Sequence, residues 1–310
     1  MRIGTRRSAL ALAQARLVAA RLEIGQQGGC EIVPISTSGD RRRGPGRGAP
    51  GEDKSRWVAE LEDALLSGKI DLAVHSAKDV PGELAEGLAL LGAPARAAVE
   101  DVLCGADRLD GLAPGARVGT SSIRRTAQLR AAREDLEVVA IRGNVDTRLG
   151  KLERGEFDAI VLARAGLQRL GLDGGSVGTA LDPARFVPAP GQGILALEGR
   201  PGDAGLRDAV REITDAETFA CLLAERALAW DLSASCHTPL GAWAAPAGGD
   251  RLDLRAWVGL PDGSAWVSDE LRGPIDDPEA LGRDVAERLS LAGAGEMLSR
   301  AEEMASVGNA

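Results

Sequence analysis

Trp57-Val-Ala-Glu-Leu-Glu-Asp-Ala-Leu-Leu-Ser-Gly-Lys-Ile-Asp-Leu-Ala-Val-His-Ser-Ala-Lys-Asp79 holds a helix, a strand and a polar turn in succession. Leu61, Leu65 and Leu66 share one side of a helix over Trp57 to Leu66, and Ile70 to Val74 is an apolar run of strand length. His75-Ser-Ala-Lys-Asp79 then falls at the carboxyl end of that strand. Open α/β sheets bind ligands outside the carboxyl ends of their strands, so Lys78 and Asp79 occupy a favoured position. On spacing alone the two are equally well read as an ion pair capping a helix.

The pattern extends in both directions. Arg2 to Thr5 reads as a strand, Ser8 as the N-cap of a helix carrying Leu10, Leu17, Val18 and Leu22, and Glu31 to Ile35 as a second strand. Arg117 to Gly119, Val138 to Ile141 and Ala159 to Leu162 form a second strand set, with helices opening near Ser122 and Asn144. Strand and helix alternating in this way predict parallel sheets flanked by helices. Pro94 with its neighbouring alanines and Val187-Pro-Ala-Pro-Gly-Gln-Gly193 mark crossings between two such α/β units, which face each other across a cleft. Beyond a helix from Asp215 to Ala229 the character changes. Strands Leu252 to Leu260 and Ala265 to Leu271 flank the turn signal Pro261-Asp-Gly-Ser264, and a helix over Pro278 to Leu291 covers them. The expected domains are therefore 1–94 with 190–213, 95–189, and a small α+β domain over 214–310.

The 310 residues carry a formal net charge of −9, a pI near 5.0 and 3% aromatic residues without a tyrosine. That balance argues against a nucleic-acid partner, which calls for a basic face or stacking rings. No stretch approaches the roughly 18 apolar residues of a membrane span, and Gln14, Arg16 and Arg21 interrupt the alanine-rich run after Arg6-Arg7 that could mimic a secretory signal. Cys30, Cys104, Cys221 and Cys236 show no paired spacing. With His75 and His237 as the two histidines, no metal site is expected, and a reduced cytoplasmic setting fits.

Against this acidic background, Val118-Gly-Thr-Ser-Ser-Ile-Arg-Arg125 and Arg142-Gly-Asn-Val-Asp-Thr-Arg148 place four arginines beside hydroxyls and helix starts. Guanidinium forks and helix N-termini both favour carboxylate or phosphate, so the two turns point to a polyanionic ligand. Arg6 with Ser8 repeats the arrangement. Arg41 to Gly51, basic and glycine-rich but without the ending of a P-loop, reads as a flexible lid, and Gly191-Gln-Gly193 is too short to mark a dinucleotide site. Cys236 next to His237 invites a catalytic pair, but adjacent side chains point apart. An inert thiol, an exposed nucleophile and an attachment point remain open.

Together these residues resemble the porphobilinogen deaminases, also called hydroxymethylbilane synthases. The likeness runs through Thr5-Arg6-Arg7-Ser8, Ala73 to Pro81, Val118 to Arg125, Arg142 to Leu149, Asp158 to Leu172, Pro190-Gly-Gln-Gly193, Ala224-Glu-Arg-Ala227, Cys236 and Leu254 to Gly259. It implies two periplasmic-binding-protein-like α/β domains framing a cleft, plus a small α+β C-terminal domain. It also implies a monomeric, cytoplasmic transferase that joins four porphobilinogen molecules head to tail onto a covalent dipyrromethane and releases ammonia and then hydroxymethylbilane. By that resemblance Cys236 carries the dipyrromethane through a thioether, and Asp79, assisted by Lys78, handles the pyrrole nitrogens and the cationic intermediate. The cofactor's carboxylates fall to Arg124, Arg125, Thr120, Ser121 and Ser122 together with Lys78. Arg6, Ser8, Arg142, Arg148, Arg169 and Lys54 serve incoming substrate. The chain departs from the family in having Ala234-Ser235 where paired glycines often precede the cysteine, and Asp53-Lys54-Ser55 then Trp57 where the lid has glycine, lysine, glycine and a phenylalanine. The competing reading is a non-catalytic two-domain protein that binds an acidic small molecule.

Overall fold

The computed structural model describes residues 1–25, 29–35, 52–173, 177–235 and 238–307. In chain order the first elements are β1 (Arg2–Arg6), α1 (Ala9–Gly25), β2 (Glu31–Ile35), α2 (Glu52–Leu66), β3 (Leu72–Ser76) and β4 (Ala89–Gly92). Then come β5 (Asp101–Cys104), β6 (Arg117–Gly119), α3 (Ile123–Ala132), β7 (Glu137–Val139), α4 (Val145–Glu153), β8 (Ala159–Ala163), α5 (Arg164–Arg169) and β9 (Thr179–Ala180). The chain closes with β10 (Leu195–Gly199), α6 (Ala204–Ile213), α7 (Ala216–Asp231), β11 (Leu240–Pro246), β12 (Arg251–Gly259), β13 (Trp266–Pro274), α8 (Pro278–Leu291) and α9 (Ala294–Val307). Two compact units result. The first comprises Met1–Ala97 and Gly193–Leu222, the second Ala98–Gln192 and Leu223–Ala310.

Unit 1 is built on a five-stranded sheet in the order β2-β1-β3-β10-β4. β1 runs parallel to β2 and β3, whereas β10 runs antiparallel to β3 and β4, so the sheet is mixed rather than parallel as the alternation predicted. The reason lies in the chain path. β10 arrives from the far side of a long excursion instead of through a crossover helix, and no local periodicity records that direction. One face packs Ile3, Leu72, Val74, Leu195 and Leu197 against Ala15, Val18 and Leu22 of α1 and Leu206 and Val210 of α6. The other packs Ala73 and Ile70 against Leu61 and Leu65 of α2.

Unit 2 repeats the plan with the order β7-β6-β8-β5-β9, β5 being the antiparallel strand. Its second layer is the antiparallel meander β11-β12-β13, covered by α8 and α9. Trp257 and Trp243 of this meander pack on Ala127 of α3 and on Val187. The turn joining β12 to β13 brings Gly263 (φ +76°) so close to α3 that a Cβ there would lie 2.4 Å from the Ala131 nitrogen. Glycine is required at that point by both conformation and space.

A candidate anion site and a candidate catalytic turn

Turns after equivalent strands carry the candidate residues. After β1, Ser8 Oγ accepts the Ala11 N–H at 3.2 Å, and Thr5, fully buried, donates its hydroxyl to Ala11 O. Ser8 is thus the expected N-cap, and partly buried Arg6 precedes it. After β6, Ser122 caps α3 by accepting the Arg125 N–H, Thr120 Oγ1 accepts the Ser122 N–H at 3.2 Å, and the Ser121 hydroxyl donates to Ile141 O. These hydroxyls first organise the turn, as capping residues do.

Arg124 and Arg125 point into the interior, not to the surface. Asp101, at the start of β5 and wholly buried, accepts from Arg124 Nη2 (2.8 Å), Arg125 Nη2 (2.6 Å), Arg125 Nε (3.0 Å) and Gln192 Nε2 (2.9 Å). The remaining forks reach Val187 O and Val161 O. Burial alone would raise the Asp101 pKa; the adjacent Arg124 and Arg125 charges and their hydrogen bonds outweigh it and hold the carboxyl well below the usual range. Asp101 and backbone carbonyls take up donors of both guanidiniums, while Arg124 Nε makes no hydrogen bond among the described residues. An arginine pair of this kind needs an internal counter-ion. The sequence signal for it is an acidic residue opening the apolar run Val102-Leu-Cys104.

Arg148 is different. It sits on the first turn of α4, donates Nε to Gly143 O at 2.8 Å, and forms no ion pair among the described residues. Its pKa is lowered by burial and then by the like charge of Arg125. Arg142 is exposed just before the Asn144 cap, whose side chain makes no cap hydrogen bond, so the first N–H groups of α4 lie between two arginines without a side-chain cap. Among the described residues this is where unit 2 is electrostatically unfinished, and carboxylates fit its donor set. Arg169 ends α5, partly buried.

In unit 1 the Lys78–Asp79 pair lies on a single 3-10 turn, Ala77–Asp79, directly after β3. The Ala77 N–H donates to Ile194 O, and the Val80 N–H returns to Ala77 O. Lys78 and Asp79 are both partly buried at that position. Lys54 belongs to the first turn of α2, and its side chain lies outside the described residues, as do Cys236 and His237. The residues flanking the cysteine are placed. α7 ends with Ser233 in the left-handed region (φ 51°), Ala234 N–H bonds Ala229 O, and Thr238 gives both its N–H and its hydroxyl to Ser235 O. Glu225 of α7, buried, accepts the Gly191 N–H (2.5 Å) at the turn and the Ala244 N–H (2.8 Å) within β11. Glu225 and Gln192 both stand in stretches that carry the family resemblance, but the sequence assigned neither a role, since their partners are brought in by topology.

A family model described as porphobilinogen deaminase, dipyromethane cofactor binding domain, matches residues 1–208, and one described as porphobilinogen deaminase, C-terminal domain, matches 219–290. The chain is 47% identical over 305 residues to a porphobilinogen deaminase of Stenotrophomonas maltophilia, covering 96% of this chain and 99% of that relative. It is 45% identical to one of Xanthomonas axonopodis pv. citri, covering 96% and 98%. Among solved structures, immunogenic lipoprotein A from Vibrio vulnificus is similar over 71% of this chain and 96% of its own, at 11% identity and a TM-score of 0.42. With two consecutive family models matched and relatives aligned along nearly the whole length, the chain belongs to the porphobilinogen deaminase family.

Proposed function

We propose that Asp79 is the group that manages protons and positive charge in the condensation, with Lys78 beside it, while Arg142 and Arg148 hold substrate carboxylates. The activity itself follows from the family: a transferase of tetrapyrrole biosynthesis that links four porphobilinogen molecules on a dipyrromethane cofactor and yields hydroxymethylbilane. This decides against the alternative of a non-catalytic acid-binding protein. When bound, the dipyrromethane supplies the free pyrrole carbon on which the chain grows.

The substrate's protonated aminomethyl group leaves as neutral ammonia, taking the C–N bonding pair, and the cation left on the substrate is delocalised onto its pyrrole nitrogen, which keeps its N–H. A carboxylate at Asp79 accepts that N–H and offsets the charge until the new C–C bond forms and the joined ring gives up its α-proton. Each pyrrole adds an acetate and a propionate, so carboxylates accumulate as the product lengthens. The observation that carries the assignment is Arg148, a partly buried cation without a carboxylate partner among the described residues. Arg124 and Arg125 then contribute positive potential while Asp101 holds them in place, and Arg6, Ser8, Thr120, Ser121, Ser122, Arg169 and Lys54 complete the reading. Cys236 bears the thioether, and we take the protein as a cytoplasmic monomer.

The test is intact mass of the purified protein combined with Ehrlich's reagent. Wild type and Asp79→Asn carry the dipyrromethane mass, and Cys236→Ser does not. Asp79→Asn loses roughly 10²-fold or more in turnover. Parental turnover in that variant would remove Asp79 from the role, and a dipyrromethane adduct on Cys236→Ser would place the attachment elsewhere.

A further inference from the structure

Unit 1 encloses three titratable side chains that the reaction as described does not use. His75 of β3 has its Nε2 2.8 Å from Glu198 Oε2 of β10, with side chains 5% and 0% exposed. Glu62 of α2, also buried, accepts the Ala85 N–H through Oε1 at 2.9 Å. All three belong to one face of the sheet. Ala73 packs on α2, strand alternation puts His75 on the same side, and the register sets Glu198 opposite Ala73. Burying acids here is costly. Glu198 Oε1 accepts no hydrogen bond among the described residues, and burial together with the Glu198 charge pushes the Glu62 pKa up. A hydrophobic trio would have made a more stable core, so the polar one calls for another explanation.

Its position suggests one. The Ala77–Asp79 turn starts two residues after His75, and Ala85 lies six residues after Asp79. The His75–Glu198 contact therefore anchors the entrance of segment 76–85, and the Glu62–Ala85 bond anchors its exit. Between them the segment is held by the Ala77 N–H on Ile194 O, the Val80 N–H on Ala77 O, and Gln14 Nε2 donating to Ser76 Oγ at 2.9 Å. β10 supplies Glu198 to His75, and Ile194, just before β10, supplies the carbonyl that receives the Ala77 N–H.

We propose that Glu198, acting through His75, and Glu62, acting through the Ala85 amide, are positioning residues that fix the Lys78–Asp79 turn for the condensation. The proposal rests on the assignment of Asp79 to the reaction. A reacting group displaced by about 1 Å can lose about 10²-fold in rate, so loosening one anchor is expected to act on kcat.

The experiment compares Glu198→Ala, Glu198→Gln and Glu62→Ala as holoenzymes with the primer mass verified. It measures kcat, KM and hydrogen exchange of the 76–85 amides. Glu198→Ala is expected to lower kcat about tenfold or more, with KM within about twofold, and to speed exchange at Ala77 and Val80 by about tenfold. Glu198→Gln, which keeps an oxygen acceptor for the His75 N–H, restores both to within about threefold. If Glu198→Ala does not fold, Glu62→Ala carries the same prediction at Ala85. Parental exchange and kcat in the folded alanine variant, or a glutamine variant as impaired as the alanine one, would overturn the proposal. The exchange result is independent of Asp79. Parental turnover in Asp79→Asn beside accelerated exchange in Glu198→Ala would refute the role of Asp79 and leave the anchoring intact.

Discussion

Replacing Asp101 by asparagine asks how much a single buried carboxylate contributes when it serves two guanidiniums. Asparagine can put its oxygen where Oδ1 now accepts from Arg125 and Gln192, which leaves its NH2 facing Arg124 Nη2 across what is a 2.8 Å contact. Arg124 would keep Val187 O as a partner, and its Nε has no hydrogen bond among the described residues already. Breaking a buried ion pair from one side costs about 3–5 kcal/mol, and two stranded cations place this case at the upper end. At roughly 2–4 °C per kcal/mol for a domain of this size, the expected fall in Tm is about 10–20 °C. Thermal unfolding followed by circular dichroism across a pH series measures it.

The folded-state pKa of Asp101 is depressed, so its contribution is complete above the ordinary aspartate value near 3.9 and is lost as pH falls through the folded value. The gap between wild type and variant should stay constant from about pH 5 to 8 and close only below about pH 4. A loss under about 1 kcal/mol at pH 7, or a gap already closing near pH 6, would refute the reasoning.

Glu62→Gln keeps an acceptor for Ala85 while removing a carboxylate whose pKa burial raises. Wild type loses stability as pH climbs from the ordinary glutamate value near 4.3 to the raised one, so the variant should melt higher at pH 7 and equal wild type at pH 4. Arg148→Met removes a partly buried like charge next to Arg125 and should leave Tm unchanged or raised, while the yield of hydroxymethylbilane, read by absorbance after oxidation, falls at least tenfold. Ser233→Gly relieves a left-handed serine at the end of α7 and should raise stability by about 0.5–1 kcal/mol in denaturant titration.

Much of this architecture is legible in local pattern because local physics sets it. Glu31–Ile35 and Pro278–Leu291 begin and end where the sequence placed them, and Ser8, Ser122 and Asn144 stand at the helix starts where short polar residues are expected. What escaped has long-range causes. β10 gives no sign of its antiparallel direction, since that is fixed by a pairing of Ala196 with His75 across the intervening chain. The arginine turns were recognisable as anion-binding chemistry, but their division of labour was not. Nothing near Arg124 and Arg125 in sequence announces that Asp101 will occupy them, whereas Arg148, one motif further on, keeps no such partner among the described residues. A motif identifies the donors; burial and counter-ions decide which of them remain available to a ligand.

The position of β10 also sets a timetable for synthesis. The strands of the second sheet, Asp101 to Ala180, leave the ribosome before β10 exists, so the sheet encoded second can close first. Meanwhile β3 and β4 wait with unpaired edges, and Glu198 reaches His75 only after 123 further residues have been made. A nascent chain paused in that interval presents an open edge beside the segment that will hold Lys78 and Asp79. Codon choice and chaperone access over residues 98–192 should therefore affect the yield of active protein more than the same changes downstream of residue 199.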